Sequence, residues 1–553
     1  MSAIPETRLR RVLLLGFLLT GVAGIYLLGL GRLPLFGRDE ALYAEAAREM
    51  LASGDWITPR VNGVFFFEKP PLNYWLAAIS YRLLGVSPLA ARLPAALLAI
   101  ATILITTTIG ARVWGRRAGL LAGLALATSL QMAMIGRMGI MDVPLTFLVT
   151  AALFAYARWR RHGRPQAAVV FGALTGLAFL LKGLAGGLAP AIAVIHALTY
   201  RRGSGRLSAR FVVLALLVFV AVSAPWFATM LARHGDAFVD IFIKQQHGLR
   251  MTQQMQRHGG PVFYYLALIV VSFFPWVAFL PTAFAPGNAA DEKQAFWRSL
   301  AITWVLVVLV PFSLISTKLP GYVTPLYPAM ALLVGAELDR RLREPNRAPW
   351  IMVIALGCLL AVFFALLPAI GAKVGERAGA SREASALIIP SACWVIGLAI
   401  IVLGSIFALK GNPRRGIGLL VVGQVVVVGA LLFGVLPVLS PYLGGGPAYL
   451  AQTAQLELPG SRIILYETRP EGVAFVLRRP VPVFSHNEKD KLLSEMRRGP
   501  TALIVPRKER KFWETLPHTQ VWPRGSDMLL EVPQLTAGAE AHGAENYMPV
   551  REK

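Results

Sequence analysis

The chain has 553 residues, of which 56% are hydrophobic and only 15% charged. Soluble domains carry about 25% charged residues, so this composition excludes an ordinary soluble enzyme, a disordered tail protein and a coiled coil. The formal net charge is +25. In a chain with many long apolar runs, such an excess indicates cationic cytoplasmic loops of a membrane protein, and we expect no binding to nucleic acid.

Thirteen apolar runs are long enough to cross a bilayer and are separated by charged breaks. They are 11–31, 88–112, 118–136, 143–160, 166–182, 184–200, 210–232, 261–284, 298–316, 320–337, 350–370, 387–409 and 416–438. Two of them are short and must be joined by a turn at Lys182-Gly183. The fold class predicted from this pattern is an α-helical polytopic membrane protein with about thirteen transmembrane helices.

The remaining apolar run, 70–86, decides the topology. If it does not span, the arginine-rich segments 158–164, 201–206 and 339–344 all lie on the side of the N-terminus, which the positive-inside rule makes cytoplasmic. A span there would place all three outside. We therefore predict that 70–86 is an amphipathic helix along the outer interface, anchored by its aromatic side chains.

Thirteen spans place the C-terminus outside. Residues 439–553 carry balanced charge and strand-like runs at 462–467, 481–485, 502–506 and 528–533, with helical stretches between them. They predict a small outer α/β domain behind a transmembrane domain at 1–438. The first outer loop occupies 32–87.

Two acidic residues are candidates for chemistry at the outer face. Asp39 begins a helical stretch in the first outer loop, and Asp142 stands where an outer loop enters a span, with Arg137 as its expected local cation. Each could simply favour a helix N-terminus. Ionisable residues near bilayer depth are costly, however, and often mark function. Together, the two carboxylates could bind a metal, deprotonate an alcohol or hold a cationic substrate.

Four cations lie at predicted outer boundaries: Lys69, Lys182, Arg250 and Lys318. They could snorkel to lipid phosphates, or they could surround one phosphate group, which suits compact cationic donors. Tyr322 and Tyr327 could add hydroxyl donors or belong to an aromatic belt.

A zinc site is the weakest expectation from the residues. His247 and His258 flank the loop 233–260, and with Glu68 they could supply ligands of the types that zinc accepts. The spacing contains neither HxxxH nor HExxH. The argument so far requires no cofactor.

The segment RDEALYAEAAREMLASGDWITPRVNGVFFFEKPPLNYWL resembles the first outer loop of bacterial GT-C glycosyltransferases, which use polyprenyl-phosphate sugars and include the protein O-mannosyltransferases. Lys-Gly at 182–183, QHGLRM followed by PVFYYL, and KLPGYVTPLYPAMALL at 318–333 follow in the same order. The resemblance covers about residues 30–335 and is nearest to the aminoarabinose transferases of lipid A. Gln246 departs from the acidic residue expected before the histidine, which weakens a metal site at His247.

This resemblance implies an inner-membrane enzyme with a periplasmic active site and a periplasmic C-terminal α/β domain. The reaction would transfer 4-amino-4-deoxy-L-arabinose from undecaprenyl phosphate to a phosphate of lipid A, with inversion. Asp39 and Asp142 would take the family's two acidic positions. The candidates for holding the lipid phosphate and the donor are Lys69, Arg250, Lys318, Tyr327, Lys182 and Tyr43.

Three other functions stay open on the residues alone, and one of them is a structural scaffold for envelope assembly. A protein O-glycosyltransferase would share the architecture and differ in its acceptor. A lipid transporter or flippase would place charges near the middle of spans, whereas the charges here cluster at outer boundaries, and no internal repeat is visible.

Overall fold

The computed structural model describes residues 20–200, 208–242, 244, 260–285, 291–378, 386–509, 516 and 518–535. Within these ranges the chain is mainly helical. The helices of eight or more residues are α1 (Arg38–Ser53), α2 (Leu72–Leu84), α3 (Pro88–Trp114), α4 (Arg116–Ala127), α5 (Asp142–His162), α6 (Pro165–Lys182), α7 (Leu188–Thr199), α8 (Ala209–Phe238), α9 (Tyr264–Ser272), α10 (Glu292–Leu314), α11 (Tyr327–Arg341), α12 (Ala348–Ala378), α13 (Ile388–Leu409), α14 (Pro413–Ala430), α15 (Gly446–Glu457) and α16 (Lys489–Met496).

Shorter elements connect them. Short α-helices occur at Leu130–Ile135, Leu280–Phe284, Leu436–Leu439 and Glu471–Leu477, and 3₁₀ segments at Gly183–Gly187, Trp276–Phe279, Pro320–Leu326, His486–Glu488 and Arg507–Glu509. The strands are β1 (Arg60–Val61), β2 (Val64–Phe65), β3 (Arg462–Tyr466), β4 (Val483–Phe484), β5 (Thr501–Pro506), β6 (Gln520–Arg524) and β7 (Asp527–Val532).

The chain divides into two compact units. Unit 1 comprises residues 1–28, 67–73 and 92–435, and unit 2 comprises 29–66, 74–91 and 436–553. Within the described residues, seven helical segments are long and apolar enough to cross a membrane, or eight when the bent pair Tyr264–Ser272 and Trp276–Phe284 is one span. The predicted multi-pass helical character is confirmed.

One of these seven segments, Pro165–Thr199, is a hairpin. The rings of Phe171 and His196 both contact the ring of Tyr156, with centroids 6.3 Å and 5.8 Å away. In one straight helix, residues 25 positions apart would be separated by about 37 Å, so the chain must reverse between α6 and α7. The backbone at Gly186 lies so close to that of Ala178 that a Cβ would be 2.4 Å from its carbonyl carbon. The turn predicted next to Lys182 is confirmed.

Unit 2 contains the run that decided the predicted topology. The helix α2 has 13 residues and is therefore about 20 Å long, which is too short for a hydrocarbon core of about 30 Å. Its side chains Ile79 and Leu83 are exposed. Tyr74 and Tyr81 of this helix were expected to anchor it at the membrane interface. That expectation is wrong, because both side chains are buried within unit 2 and the Tyr81 hydroxyl donates to the Ala44 carbonyl.

A five-stranded sheet forms the other part of unit 2. The strand order is β4-β3-β5-β7-β6, with β3 parallel to β4 and β5, and β7 antiparallel to β5 and β6. Alternate residues of β3 enter two different apolar clusters, Ile463 and Leu465 on one face and Ile464 and Tyr466 on the other. Both faces are covered, which explains why β3 and β5 have nearly continuous apolar sequences.

Candidate functional site

Asp142 and Lys182 form the central ion pair of the candidate site in unit 1. Asp142 is the first residue of α5 and Lys182 the last of α6, so each charge sits at the helix end whose dipole favours it. The Lys182 Nζ lies 2.7 Å from Asp142 Oδ1, and the two side chains are 14% and 13% exposed. The pair is mostly buried, and a small part of each side chain is exposed.

The expected partner of Asp142 was wrong. The guanidinium of Arg137 donates to the carbonyl oxygens of Ile25 and Leu28, at 2.6 Å and 2.7 Å. Lys182 is the partner because the hairpin after α6 returns the end of that helix to the start of α5. Forty residues separate the two charges in sequence, so local spacing alone would not have selected this pair.

A third segment closes on the carboxylate of Asp142. A Cβ placed on Gly321 would be 2.6 Å from both Cγ and Oδ1 of Asp142, so the glycine backbone packs directly against this group. The neighbouring Tyr322 has its ring centroid 5.4 Å from Lys182 Nζ. The amide of Gln131 holds the segment by donating to the Pro320 carbonyl at 2.8 Å. The sequence motif LPGY is thus part of the same site as Asp142.

Lys318, which is predicted to hold the lipid phosphate, has backbone partners for its ammonium in this structure. Its side chain is buried, and its Nζ donates to the carbonyl oxygens of Phe312, Ser313 and Ile315 at 3.0, 2.6 and 2.5 Å. An ammonium has three hydrogens, and all of them are used to satisfy the C-terminal end of α10. Burial lowers the pKa of Lys318. In this arrangement Lys318 is a helix cap.

Tyr327 is also predicted to hold the lipid phosphate, and its side chain lies in the core. It is fully buried at the start of α11, and its hydroxyl lies 2.5 Å from the hydroxyl of Ser272. Tyr265 is not among the predicted site residues, although it contacts the same segment. Its hydroxyl donates to the Leu319 carbonyl at 3.1 Å and accepts from the Leu319 amide at 3.2 Å. No periodicity marks Tyr265, although it lies in the PVFYYL stretch that the family resemblance includes.

The helix α1 in unit 2 carries four carboxylates, and three of them have structural partners. Glu40 accepts from the Phe36 amide at 3.0 Å, and Glu49 accepts from the Gly63 amide at 3.1 Å. Glu45 accepts two hydrogen bonds of 2.7 Å from Arg48. Burial raises the pKa of Glu45 to about 7, although the guanidinium opposes this shift.

The fourth carboxylate of α1 is Asp39. It is exposed in the first turn, as predicted for a helix beginning there, and no partner is recorded for it among the residues that the structure describes. Tyr43, one turn later, is buried with its ring 6.0 Å from that of Tyr74. Asp39 is therefore the carboxylate of α1 that is exposed at the surface of the protein.

Of the other predicted site residues, two are described by the structure and three are not. Glu68 and Lys69 are half-buried in unit 1. Arg250, His247 and His258 lie outside the described residues. Within the described part of the chain, no group of three or more His, Cys, Asp and Glu side chains is arranged to hold a metal ion.

Comparisons with known proteins show what this chain is similar to. Residues 68–228 match the sequence profile of the dolichyl-phosphate-mannose-protein mannosyltransferases. The undecaprenyl phosphate-α-4-amino-4-deoxy-L-arabinose arabinosyl transferase of Pectobacterium carotovorum is 34% identical over 358 residues, 62% of this chain and 63% of that protein. The Aeromonas salmonicida protein of the same name is 31% identical, over 58% of this chain and 59% of its own. The chain thus matches rather less than two thirds of the length of these relatives.

Solved structures extend the likeness in fold to nearly the whole chain. The crystal structure of ArnT from Cupriavidus metallidurans bound to undecaprenyl phosphate has a TM-score of 0.76 and 23% identity, covering 96% of this chain and 99% of that one. The apo structure of the same protein has a TM-score of 0.74, covering 93% and 98%. The resemblance predicted from the sequence is confirmed: the chain is similar to the arabinosyl transferases in sequence, to the mannosyltransferase family over 68–228, and to ArnT in fold.

Proposed function

We propose that the protein is a glycosyltransferase that moves 4-amino-4-deoxy-L-arabinose from undecaprenyl phosphate to a phosphate of lipid A. The observation that carries this proposal is the Asp142–Lys182 pair against Gly321, in a chain 34% identical over 358 residues to a relative whose name specifies that donor. In the reaction, the bond from the sugar C1 to the polyprenyl phosphate breaks, and a bond from C1 to an oxygen of the acceptor phosphate forms. Undecaprenyl phosphate leaves, and direct attack inverts C1.

The leaving group gains negative charge as the bond breaks, so a preorganised cation beside it lowers the barrier. Lys182 is the cation we assign to this role. Asp142 holds its ammonium at 2.7 Å, and the two side chains are 13% and 14% exposed. Lys69 and Arg250 remain proposed donors to the lipid phosphate, and Tyr43 supports α1 from its buried position.

Asp39 is assigned to the acceptor or the sugar ammonium. A lipid A phosphate is already anionic near neutral pH, so its attack needs little help from a general base. With a lipid A acceptor, the exposed carboxylate of Asp39 suits electrostatic pairing with the amino group of the sugar. With a protein hydroxyl as acceptor, a general base would be needed instead. Glu68 and His247 remain the proposed ligands if the reaction uses zinc.

We also propose a topology. We assign thirteen spans in the inner membrane, a cytoplasmic N-terminus, and both the active site and the C-terminal α/β domain at the periplasmic face. The basis is the positive-inside arrangement of the arginine-rich loops. The domain bounds proposed with it are 1–438 and 439–553.

The test is lipid A mass spectrometry in polymyxin-sensitive cells that lack their own aminoarabinose transferase. Expression of this chain should add aminoarabinose to lipid A, and Asp39→Asn should abolish the addition at equal membrane abundance. Glu344→Gln is the matched control, because Glu344 is an exposed carboxylate whose side chain is 68% exposed. Unmodified lipid A despite good expression of the wild-type chain would overturn the proposed acceptor and sugar.

A further inference from the structure

The far end of α5 borders a cationic cleft in unit 1. Its volume is about 450 Å³. Asp142 begins α5 and His162 ends it, so the cleft lies about 30 Å along the helix from the ion pair, which is the thickness of a hydrocarbon core. The cations that line it are Arg112, Arg158, Arg161, Arg164 and Lys293, with His162 beside them.

The described residues that line this cleft do not neutralise its positive charge, because none of them is a carboxylate. Among the described residues, none of its five cations forms an ion pair. The nearest acidic residues in sequence are Asp291, which caps α10 by accepting from the Gln294 amide at 2.7 Å, and Glu292, which is exposed. Five like charges around one concavity repel one another, and an anion between them relieves that repulsion.

The cleft also has an ordered apolar wall. The guanidinium carbons of Arg112 and Arg158 lie 5.8 Å and 6.0 Å from the ring centroid of Phe154. Phe154 packs in turn against Trp297, with centroids 6.3 Å apart. Lys293 Nζ donates to the Arg112 carbonyl, which joins α10 to α3. Arg112 and Arg158 thus lie against an aromatic surface, unlike cations that extend separately to lipid headgroups.

We propose that this cleft binds the phosphate group of an anionic phospholipid from the membrane leaflet at this end of the protein. Guanidinium groups match phosphate oxygens in geometry and charge. The wall of Phe154 and Trp297 accommodates the apolar part of the same molecule. The site is separate from the Asp142–Lys182 site and does not depend on the proposed transferase reaction.

The proposal is tested with full-length protein in phosphatidylcholine nanodiscs, titrated with phosphatidylglycerol and examined by native mass spectrometry. The variant is Arg161→Gln/Arg164→Gln. The matched control is Arg414→Gln/Arg415→Gln, which removes the same charge from two exposed arginines at the start of α14. At about 1 kcal/mol per surface cation, phosphatidylglycerol should bind the cleft variant about 30-fold more weakly and the control variant as tightly as wild type.

A second arm identifies the source of the phosphate. Isothermal titration with sn-glycerol 3-phosphate should show no saturable binding, since the soluble compound lacks the apolar part. Tight binding of this compound, lost in the cleft variant, would overturn the lipid as ligand and assign a soluble phosphate instead. Equal weakening of phosphatidylglycerol binding in both double variants would overturn the site itself, because general surface charge would then explain the binding.

Discussion

The substitution Gly321→Ala probes the site with a single methyl group. Gly321 does not have a positive φ, so its backbone accepts alanine, but the new Cβ would be 2.6 Å from Asp142 Cγ. Ordinary contact begins near 3.4 Å, so the carboxylate must move by about 0.8 Å. A displacement of this size directed away from Lys182 would lengthen the 2.7 Å contact to about 3.5 Å, past the usual range for a hydrogen bond.

The magnitude follows from the bond that is lost. A hydrogen bond between charged groups contributes about 1.5–3 kcal/mol, which corresponds to a decrease in transfer of about 10- to 100-fold. The assay is the fraction of lipid A that carries aminoarabinose, normalised to membrane protein. Gly187→Ala is the control, since nothing lies within 4 Å of a Cβ there, and it should retain full activity.

A double variant makes the reasoning stricter. If Gly321→Ala acts by separating Asp142 from Lys182, then adding Lys182→Met should lower transfer little further, because both changes remove one interaction. Folded Gly321→Ala protein with more than half of wild-type transfer would refute the role of this contact. A fully additive double variant would refute the shared cause.

Three further predictions concern stability, each measured as the melting temperature of purified protein in detergent. Lys318→Met should lower it by several degrees, because three carbonyl oxygens lose their donor, whereas a purely phosphate-binding lysine would leave it unchanged. The pKa of Glu45 is raised to about 7, so this group binds more protons in the folded state than in the unfolded state. The melting temperature should therefore fall as the pH rises from about 5 to 8. Glu45→Gln should flatten that dependence, and an unaltered pH profile would contradict the shift. The side chain of Asn62 exchanges hydrogen bonds of 2.8 and 3.1 Å with the Val481 backbone, and the φ of Asn62 is 53°. Alanine and glycine both remove these bonds, but only glycine adopts this φ without strain, so Asn62→Ala should lower the melting temperature more than Asn62→Gly. Equal losses would contradict the role of backbone conformation.

Features governed by local pattern were predictable. The length of the apolar runs predicted the membrane helices. Two short runs meet at Lys182-Gly183, and for both to span, the chain had to turn there. Short strand-like apolar runs placed strands where β3, β5 and β7 occur. The helix starting near Asp39 followed from acidic residues at its N-terminus.

Features that depend on distant contacts were not predictable. The partner of Asp142 is Lys182 because two helix ends converge, and Arg137 is nearer only in sequence. The sequence also does not reveal that the Lys318 ammonium turns back onto its own helix end, or that Tyr327 points into the core. In both cases burial and hydrogen bonding assign a structural role to a residue whose type suggested binding.

The arrangement of residues 32–87, which are predicted to form the first outer loop, could likewise not be predicted from the sequence. Its asparagine Asn62 bonds to Val481, and Arg48 donates to the Arg478 carbonyl at 3.1 Å, although more than 400 residues separate the partners. Contacts of such sequence separation leave no periodic signal. They make the first-loop segments and the C-terminal sheet parts of one compact unit.

The most direct test of the central claim is transfer by the purified protein. The wild-type chain is mixed with undecaprenyl-phosphate-linked 4-amino-4-deoxy-L-arabinose and either lipid A or a serine- and threonine-rich polypeptide, and products are identified by mass spectrometry. We predict aminoarabinose on lipid A alone, with Asp142→Asn reduced at least about 100-fold. Transfer to the polypeptide alone, or undiminished transfer by Asp142→Asn, would contradict the account.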